Sequence, residues 1–254
     1  MTSNPKKVPE NSLNNKKENL IRYLQRLDKL LVAFSGGVDS TFLLALAKEV
    51  LGKKVVAATA KSRTFPECEL EEAIRFTKER GIHHVVFSSD EMMLQEFLSN
   101  PPDRCYYCKK SLSNKLWEIA EKFGIGHVAH AANLDDLKDY RPGMRAAAEG
   151  GFIAPLIEAK MNKDDIRQLS QSMALTTWDK PSMACLASRI PYGDRITAEK
   201  LDMVDRAESF LRKTGILHCR FRRMYPDGGE EFPEGVVGLE ITLVNGLELG
   251  VKEA

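Results

Sequence analysis

Short apolar runs alternate with amphipathic stretches along most of the chain. The apolar runs predict strands at residues 30–34, 54–60, 84–88 and 127–132. The amphipathic stretches predict helices at 18–27, 41–51, 69–80, 90–98, 111–123 and 162–173, with Asp90 and Asn162 as N-caps. Strands separated by helical crossovers are typical of a parallel sheet covered by helices on both faces. We therefore expect an α/β fold.

The pattern changes after Pro181. Glycine and proline punctuate residues 181–193, and an amphipathic helix follows at 198–213, with Leu201, Val204, Phe210 and Leu211 expected to face inward. Alternating residues at 219–224 and 238–244 predict strands. We expect a flexible tail at 1–17, a first domain at 18–180, and a smaller C-terminal α+β domain at 181–254.

Composition and charge limit the possible partners of the chain. Its 254 residues carry a net charge of +1, so no global field attracts nucleic acid. No apolar stretch is long enough to span a membrane, and the first residues lack the apolar centre of a signal peptide. We expect a cytoplasmic protein without a nucleic-acid or membrane partner. Its 5 cysteines then suit ligation or catalysis better than a disulfide framework.

The most informative segment joins the first predicted strand to the first long helix. It consists of Ser35, Gly36, Gly37, Val38, Asp39 and Ser40. The glycines let the backbone turn tightly and approach a ligand, and the following helix directs free N–H groups at an anion. Ser35 and Ser40 add hydroxyl donors, and Asp39 is placed to hold a magnesium ion on phosphate oxygens. The segment predicts a pyrophosphate-binding loop.

Ligands of open parallel sheets bind beyond the carboxyl ends of the strands. The loop should therefore lie close to residues 60–63, including Ala60 and Ser62, and to residues 133–136. We expect these segments to line the nucleotide site.

This loop resembles the signature of the ATP pyrophosphatase (PP-loop) superfamily, which is adenine nucleotide alpha hydrolase-like in fold. The Walker lysine and the GxGxxG fingerprint are both missing from it. The resemblance implies that ATP is cleaved between its α and β phosphates and that AMP is passed to an acceptor oxygen.

Cys185 lies in a segment of small residues and turn formers, which should leave its thiol accessible. Ser188, Arg189 and Arg195 are close in sequence and are candidates for phosphate binding. Their positive charge should also favour the thiolate form of Cys185. The segment therefore predicts a reactive cysteine beside an anion site.

Cys105 and Cys108 form a CxxC pair at the start of a predicted helix. Such a pair suits a redox couple, zinc or an iron–sulfur cluster. A structural zinc site needs four ligands, and neither a second CxxC nor an HxxxH is present. With Cys185 as a third ligand, the set suits a 4Fe–4S cluster with one open iron.

Taken together, SGGVDS, RCYYCKK, DYRPG (139–143) and CLASRIPYG (185–193) resemble the LarE family of ATP-dependent sulfurtransferases. The family thiolates a pyridinium-3,5-biscarboxylic acid mononucleotide during synthesis of the nickel-pincer nucleotide cofactor. The resemblance runs from about residue 18 to the C-terminus. It implies ATP, Mg²⁺ and a homo-oligomer, and it points to Arg220 and Arg222 as substrate-binding residues.

The resemblance also implies two steps, adenylation of a substrate carboxylate and replacement of AMP by sulfur. Family members with one cysteine give up the sulfur of the residue that matches Cys185, whereas members with three are thought to hold a cluster that accepts sulfide or another donor. This chain has the pattern of Cys105, Cys108 and Cys185. Alternatives are sacrifice of Cys185, tRNA thiolation, amide-forming adenylation, and nucleotide binding without catalysis.

Overall fold

The computed structural model describes residues 10–213, 219–224, 238–243 and 248–251. The α-helices in these ranges are α1 Glu10–Gln25, α2 Val38–Leu51, α3 Glu67–Glu79, α4 Gln95–Leu98, α5 Arg104–Lys122, α6 Pro142–Glu149, α7 Pro155–Glu158, α8 Lys163–Ser172 and α9 Ala198–Lys213. The strands are β1 Leu30–Ala33, β2 Val55–Lys61, β3 His83–Ser88, β4 Val128–Ala129, β5 Cys219–Met224, β6 Gly238–Leu243 and β7 Glu248–Val251. Short 3-10 helices occur at Gly52–Lys54, Glu91–Met93, Leu134–Lys138 and Leu186–Arg189.

The first four strands form a parallel sheet in the order β3-β2-β1-β4. This confirms the predicted α/β fold with a parallel sheet. The strand order reverses between β1 and β4, because β2 and β3 extend on one side of β1 and β4 lies on the other. A crevice opens at the carboxyl ends of the strands where such a sheet reverses, and the loop after β1 lies at that place.

Apolar residues from the sheet enter separate clusters on its two faces. Leu30 and Val32 of β1 pack in a cluster with α1, α2, α3 and α8, whereas Leu31 packs with α5 and β4. This alternation follows from the period of two residues in a strand. Both faces are covered by helices, as the alternation of strands and helical crossovers predicted.

A third apolar cluster lies away from the sheet. Phe97 and Leu98 of α4 pack with Leu186 and Ile190 and with Leu201 of α9. Leu186 is the first residue of the 3-10 helix after Cys185, and Ile190 directly follows that helix. This apolar cluster therefore packs the segment that contains Cys185 against α9. A separate antiparallel sheet in the order β5-β6-β7 follows in sequence.

Two helices begin seven or eight residues earlier than their sequence patterns predicted. We expected a flexible tail at 1–17 and a helix from 18, but α1 begins at Glu10. Its polar first half is held in place because Leu13 packs on the core and Lys16 pairs with Asp165. Residues 1–9 lie outside the described part of the chain. The fifth helix was expected from 111, but it begins at Arg104 and includes the CxxC pair.

Smaller differences concern the ends and faces of elements. The expected helix at 90–98 is a 3-10 turn followed by α4, and Asp90 makes no side-chain cap but pairs with Lys115. Asn162 caps α8 through a capping box, as predicted. Helix α9 has the predicted bounds, but Phe210 is exposed. The helices in the described ranges do not combine the length and the apolar character that crossing a membrane requires.

Candidate active site

The pyrophosphate-type loop lies between β1 and α2. Gly36 has a φ of 69°, a left-handed conformation that favours glycine, and its Cα faces Ala73 of α3. The hydroxyls of Ser35 and Ser40 lie 3.0 Å apart, and Ser40 also donates to the carbonyl of Gly37. Gly37 caps α2 without a side-chain bond, so the first N–H groups of the helix are available to an anion.

A cavity of about 680 Å³ opens at this loop and extends to the cysteines. The predicted site residues that line it are Ser35, Gly37, Val38, Asp39, Ser40, Cys105, Cys108 and Cys185. A neighbouring cavity of about 220 Å³ is lined by Ala60 and Ser62, and also by Ser35, Cys108 and Cys185. The structure therefore places the loop, the strand end and the three thiols around adjoining spaces. Gly36 supports the loop but lines neither cavity.

Asp39 lies at the second position of α2 and contacts Lys163 of α8. The Lys163 ammonium lies 2.6 Å from Asp39 Oδ2, whereas Asp39 Oδ1 is buried with no hydrogen-bond partner in the described residues. Burial raises the pKa of Asp39, and Lys163 opposes that shift. A buried carboxylate oxygen without a partner fits a ligand of Mg²⁺. Sequence analysis missed Lys163, although its position directly after the cap Asn162 marks it as a residue of a helix start.

The three thiols differ in exposure. Cys105 is exposed, whereas Cys108 and Cys185 are half-buried, and all three are free thiols. Burial raises the pKa of Cys185; the Cys105 thiol adds to the shift, and Arg104 and Arg189 oppose it. Burial likewise raises the pKa of Cys108 well above its usual range, and Glu91 adds to that effect. Arg189 therefore favours the thiolate of Cys185, as expected, but burial outweighs this effect and the pKa of Cys185 is raised overall.

The thiols fit a cluster by their chemistry and position. Three cysteine sulfurs lie on the wall of one cavity, and three thiolates are the donor set that a 4Fe–4S cluster with one open iron would need. No group of three or more His, Cys, Asp or Glu side chains in the described ranges is arranged around a single metal ion. The described part of the chain therefore shows no preformed site for a single zinc ion.

Arg189 does not have the predicted role. Its side chain is 2% exposed and forms a salt bridge with Glu208 of α9, with Nε 2.7 Å from Oε1. Its Nη2 lies 3.1 Å from Glu208 Oε2, and its Nη1 donates to the carbonyls of Ala184 and Cys185 and to Ser188 Oγ. Both Arg189 and Ser188 lie outside the cavity lining. Because these contacts use the guanidinium, we assign Arg189 to support of the Cys185 segment and not to phosphate binding.

Other predicted residues lie elsewhere. Arg195 donates to the side chain of Gln95 on the surface. Arg220 and Arg222 lie two positions apart in β5, and their side chains lie outside the described part of the structure. Cys219 is also in β5, whereas Cys68 lies in α3, away from both cavities.

Besides Lys163, two lysines that were not predicted line the cavity. Lys109 follows Cys108 on α5; burial lowers its pKa, and its ammonium has no acidic partner in the described residues. Lys180 donates to Glu69 and Glu72, both at 2.7 Å, and these contacts raise its pKa although burial opposes the shift. Lys109 therefore places an amine without an acidic partner in the described residues beside the thiols, whereas Lys180 is paired with two carboxylates.

Comparison with known proteins agrees with this geometry. The NAD synthase family matches residues 13–101, which include the loop and β2. The uncharacterized protein slr1717 of Synechocystis sp. is 44% identical over 83% of this chain and 78% of its own length. The uncharacterized protein MJ0830 of Methanocaldococcus jannaschii is 30% identical over 72% and 69% of the two chains.

A third relative carries a functional name. The pyridinium-3,5-bisthiocarboxylic acid mononucleotide synthase of Lactiplantibacillus plantarum is 36% identical over 89% of this chain and 83% of its own length. The match covers both the loop and the cysteine segments. The chain therefore belongs to the LarE family of ATP-dependent sulfurtransferases.

Proposed function

We propose that the protein adenylates a carboxylate of a pyridinium-3,5-biscarboxylic acid mononucleotide and then exchanges AMP for sulfur. The main support is that one cavity of about 680 Å³ is lined by both the pyrophosphate-type loop and the three thiols. A relative 36% identical to the chain is named as the synthase of the corresponding bisthiocarboxylic acid. The groups proposed for adenylation and those proposed for sulfur transfer thus line the same cavity.

ATP binds with its β and γ phosphates at the start of α2. The N–H groups of the first helical turn and the hydroxyls of Ser35 and Ser40 face this position. Asp39 would hold Mg²⁺ through its unpartnered oxygen, and Lys163 adds positive charge beside the phosphates. The adenosine occupies the adjoining cavity lined by Ala60 and Ser62.

Adenylation solves the problem that the oxygen of a carboxylate is a poor leaving group. A carboxylate oxygen attacks the α-phosphorus, and the bond between that phosphorus and the bridging oxygen breaks. Pyrophosphate leaves with the electron pair, and an acyl-adenylate remains. The helix N-terminus and Lys163 stabilise the charge that develops on the departing oxygens.

Sulfur then attacks the carbonyl carbon of the acyl-adenylate, and AMP departs with the electron pair of the broken C–O bond. With hydrosulfide as nucleophile the product is a thiocarboxylic acid, and no oxidant or reductant is consumed. With the Cys185 thiolate the product is a thioester, from which loss of the Cys185 α-proton and cleavage of its Cβ–S bond release the thiocarboxylate and leave dehydroalanine. Lys109 lies beside Cys108 and compensates the negative charge of the substrate or of the sulfur.

Cys105, Cys108 and Cys185 would hold a 4Fe–4S cluster in this cavity. When bound, such a cluster supplies a renewable site for inorganic sulfide, so that Cys185 is not consumed. The protein then keeps its thiols as ligands, and turnover depends on the supply of a sulfur donor.

The test uses the full chain, purified without oxygen, with ATP, Mg²⁺, sulfide and the pyridinium substrate. We expect pyrophosphate and AMP in amounts equal to the thiocarboxylate, which is identified by mass spectrometry. Omission of the pyridinium substrate should stop pyrophosphate release. The proposal is overturned if unmodified tRNA, and not the pyridinium compound, becomes thiolated, or if no sulfur enters either compound.

A further inference from the structure

Asn100 joins the segment before α5 to the segment that follows Cys185. The residue is fully buried, with a φ of 56°. Its side-chain Nδ2 lies 2.6 Å from the carbonyl oxygen of Pro191, 2.9 Å from that of Asp194 and 3.3 Å from that of Ile190. Its own carbonyl accepts from the N–H of Gly193 at 3.0 Å. One side chain therefore donates to three carbonyls of the loop that follows Cys185.

The opposite end of the same amide contacts α5. Asn100 Oδ1 accepts from Arg104 Nη1 at 2.8 Å, and Arg104 is 4% exposed and directly precedes Cys105. The Arg104 guanidinium also lies 4.5 Å from the centre of the Tyr192 ring, which belongs to the loop beyond Cys185. Asn100 and Arg104 thus link the two segments that carry the three thiols.

The rest of the Cys185 segment is fixed at other points. The N–H of Leu186 donates to the carbonyl of Thr64 at 2.8 Å, and Arg189 binds the carbonyls of Ala184 and Cys185. Leu186 and Ile190 pack against Phe97. These contacts hold the segment to Thr64 in the loop after β2 and to the third apolar cluster, whereas the Asn100 contacts hold it to the start of α5.

We propose that Asn100 is the positioning residue that sets Cys185 relative to Cys105 and Cys108, a role that rests on the proposed function. The chemistry of the residue suits this role, because an amide offers donors at one end and an acceptor at the other. A carboxylate in its place would face three carbonyl oxygens without a donor. Asparagine also tolerates the left-handed backbone conformation that the chain requires here.

The test compares Asn100→Gly and Asn100→Asp with the parent protein. Glycine keeps the backbone conformation and removes the side-chain contacts, whereas aspartate keeps the shape and removes the donors. We expect amide hydrogen exchange in residues 186–196 to be at least about fivefold faster in both variants, while exchange in α8 stays unchanged. We also expect thiocarboxylate formation to fall at least about tenfold while substrate-dependent pyrophosphate release is preserved.

Thr77→Val is the matched control. It also removes a buried polar group that hydrogen-bonds to carbonyls. Thr77 lies in α3 and lines neither cavity. The variant should leave the exchange of residues 186–196 and the ratio of the two activities unchanged. The proposal is overturned if Asn100→Gly exchanges like the parent, if it exchanges faster with normal sulfur transfer, or if both activities fall together. Failure of the proposed function would show in the parent protein as absence of thiocarboxylate, whereas the exchange comparison needs no substrate.

Discussion

Lys163 Nζ lies 2.6 Å from Asp39 Oδ2, so the first residue of α8 contacts the second residue of α2. The contact places an ammonium group beside the helix N-terminus that we assign to pyrophosphate. Burial raises the pKa of Asp39 and Lys163 opposes that rise, so Lys163 favours the charged form of the carboxylate. In the proposed function Lys163 would thus act on both the metal ligand and the anion site.

Replacement of Lys163 by Gln should slow pyrophosphate release about 10- to 100-fold, because a charge-assisted contact to a phosphate is lost. The measurement is the rate of pyrophosphate release with ATP, Mg²⁺ and the pyridinium substrate. Lys138→Gln is the control, since Lys138 pairs with Asp135 on the exposed surface. Equal rates in the two variants would remove Lys163 from the site.

The cysteine variants should separate the two sources of sulfur. Cys185→Ala should abolish thiocarboxylate formation and keep pyrophosphate release, because the thiol acts after adenylation. Cys108→Ala should lose bound iron and sulfide and stop after at most one product per chain, whereas Cys68→Ala should match the parent. The measurements are iron and sulfide content after anaerobic purification and product per chain. Unchanged multiple turnover in Cys105→Ala would contradict the cluster.

The buried ion pair between Arg189 and Glu208 should matter more for stability than an exposed pair on the same helix. Glu208→Ala leaves a buried guanidinium without its main partner and should lower the free energy of unfolding by about 3–5 kcal/mol. Asp202→Ala removes an exposed partner of Arg63 and should cost less than about 1 kcal/mol. Urea unfolding of the two variants and the parent measures both values. Equal losses of the free energy of unfolding would show that the buried pair contributes no more to stability than the exposed pair.

His84 should make the protein sensitive to acid. Its Nε2 and Nδ1 contact the hydroxyls of Thr59 and Thr77, and burial lowers its pKa from 6.5 to about 4. As pH falls from about 6.5 towards 4 the unfolded chain takes up this proton first, so the stability that the neutral ring contributes is lost in that range.

The parent should therefore lose about 2 kcal/mol more stability than His84→Gln between pH 7 and pH 4.5. Urea unfolding at the two pH values measures the difference. His127→Gln is the control, since His127 lies outside the core clusters and the two cavities. A parent and a His84→Gln variant with the same pH dependence would contradict the prediction.

The regular part of the fold was predictable because its signals are local. A few consecutive residues are enough to specify the apolar run of β1, the turn at Gly36 and the capping box of Asn162. The start of α1 was not predictable, since its polar residues are held by a distant contact between Lys16 and Asp165. Propensity alone describes such a segment as flexible.

The site was predictable where motifs mark it and unpredictable where charges pair across the fold. The loop and the cysteines were recognised from short motifs, and the structure places them around one cavity. Arg189 was misassigned because its partner Glu208 lies 19 residues away on α9 and only folding brings the two together. Asn100 carries no motif of its own, and its role follows only from the carbonyls around it.

The pairing of Lys16 with Asp165 sets a limit on how far the chain can be shortened. Asp165 is fully buried in the first turn of α8, and its Oδ2 accepts from both Lys16 and the N–H of Asn162. Deletion up to residue 17 would remove Lys16 and leave the Asp165 carboxylate without its cation. Asp165 lies two positions after Lys163 in α8. Nucleotide chemistry would then suffer from the loss of residues that never touch the nucleotide, so a trimmed protein should retain everything from Glu10 onward.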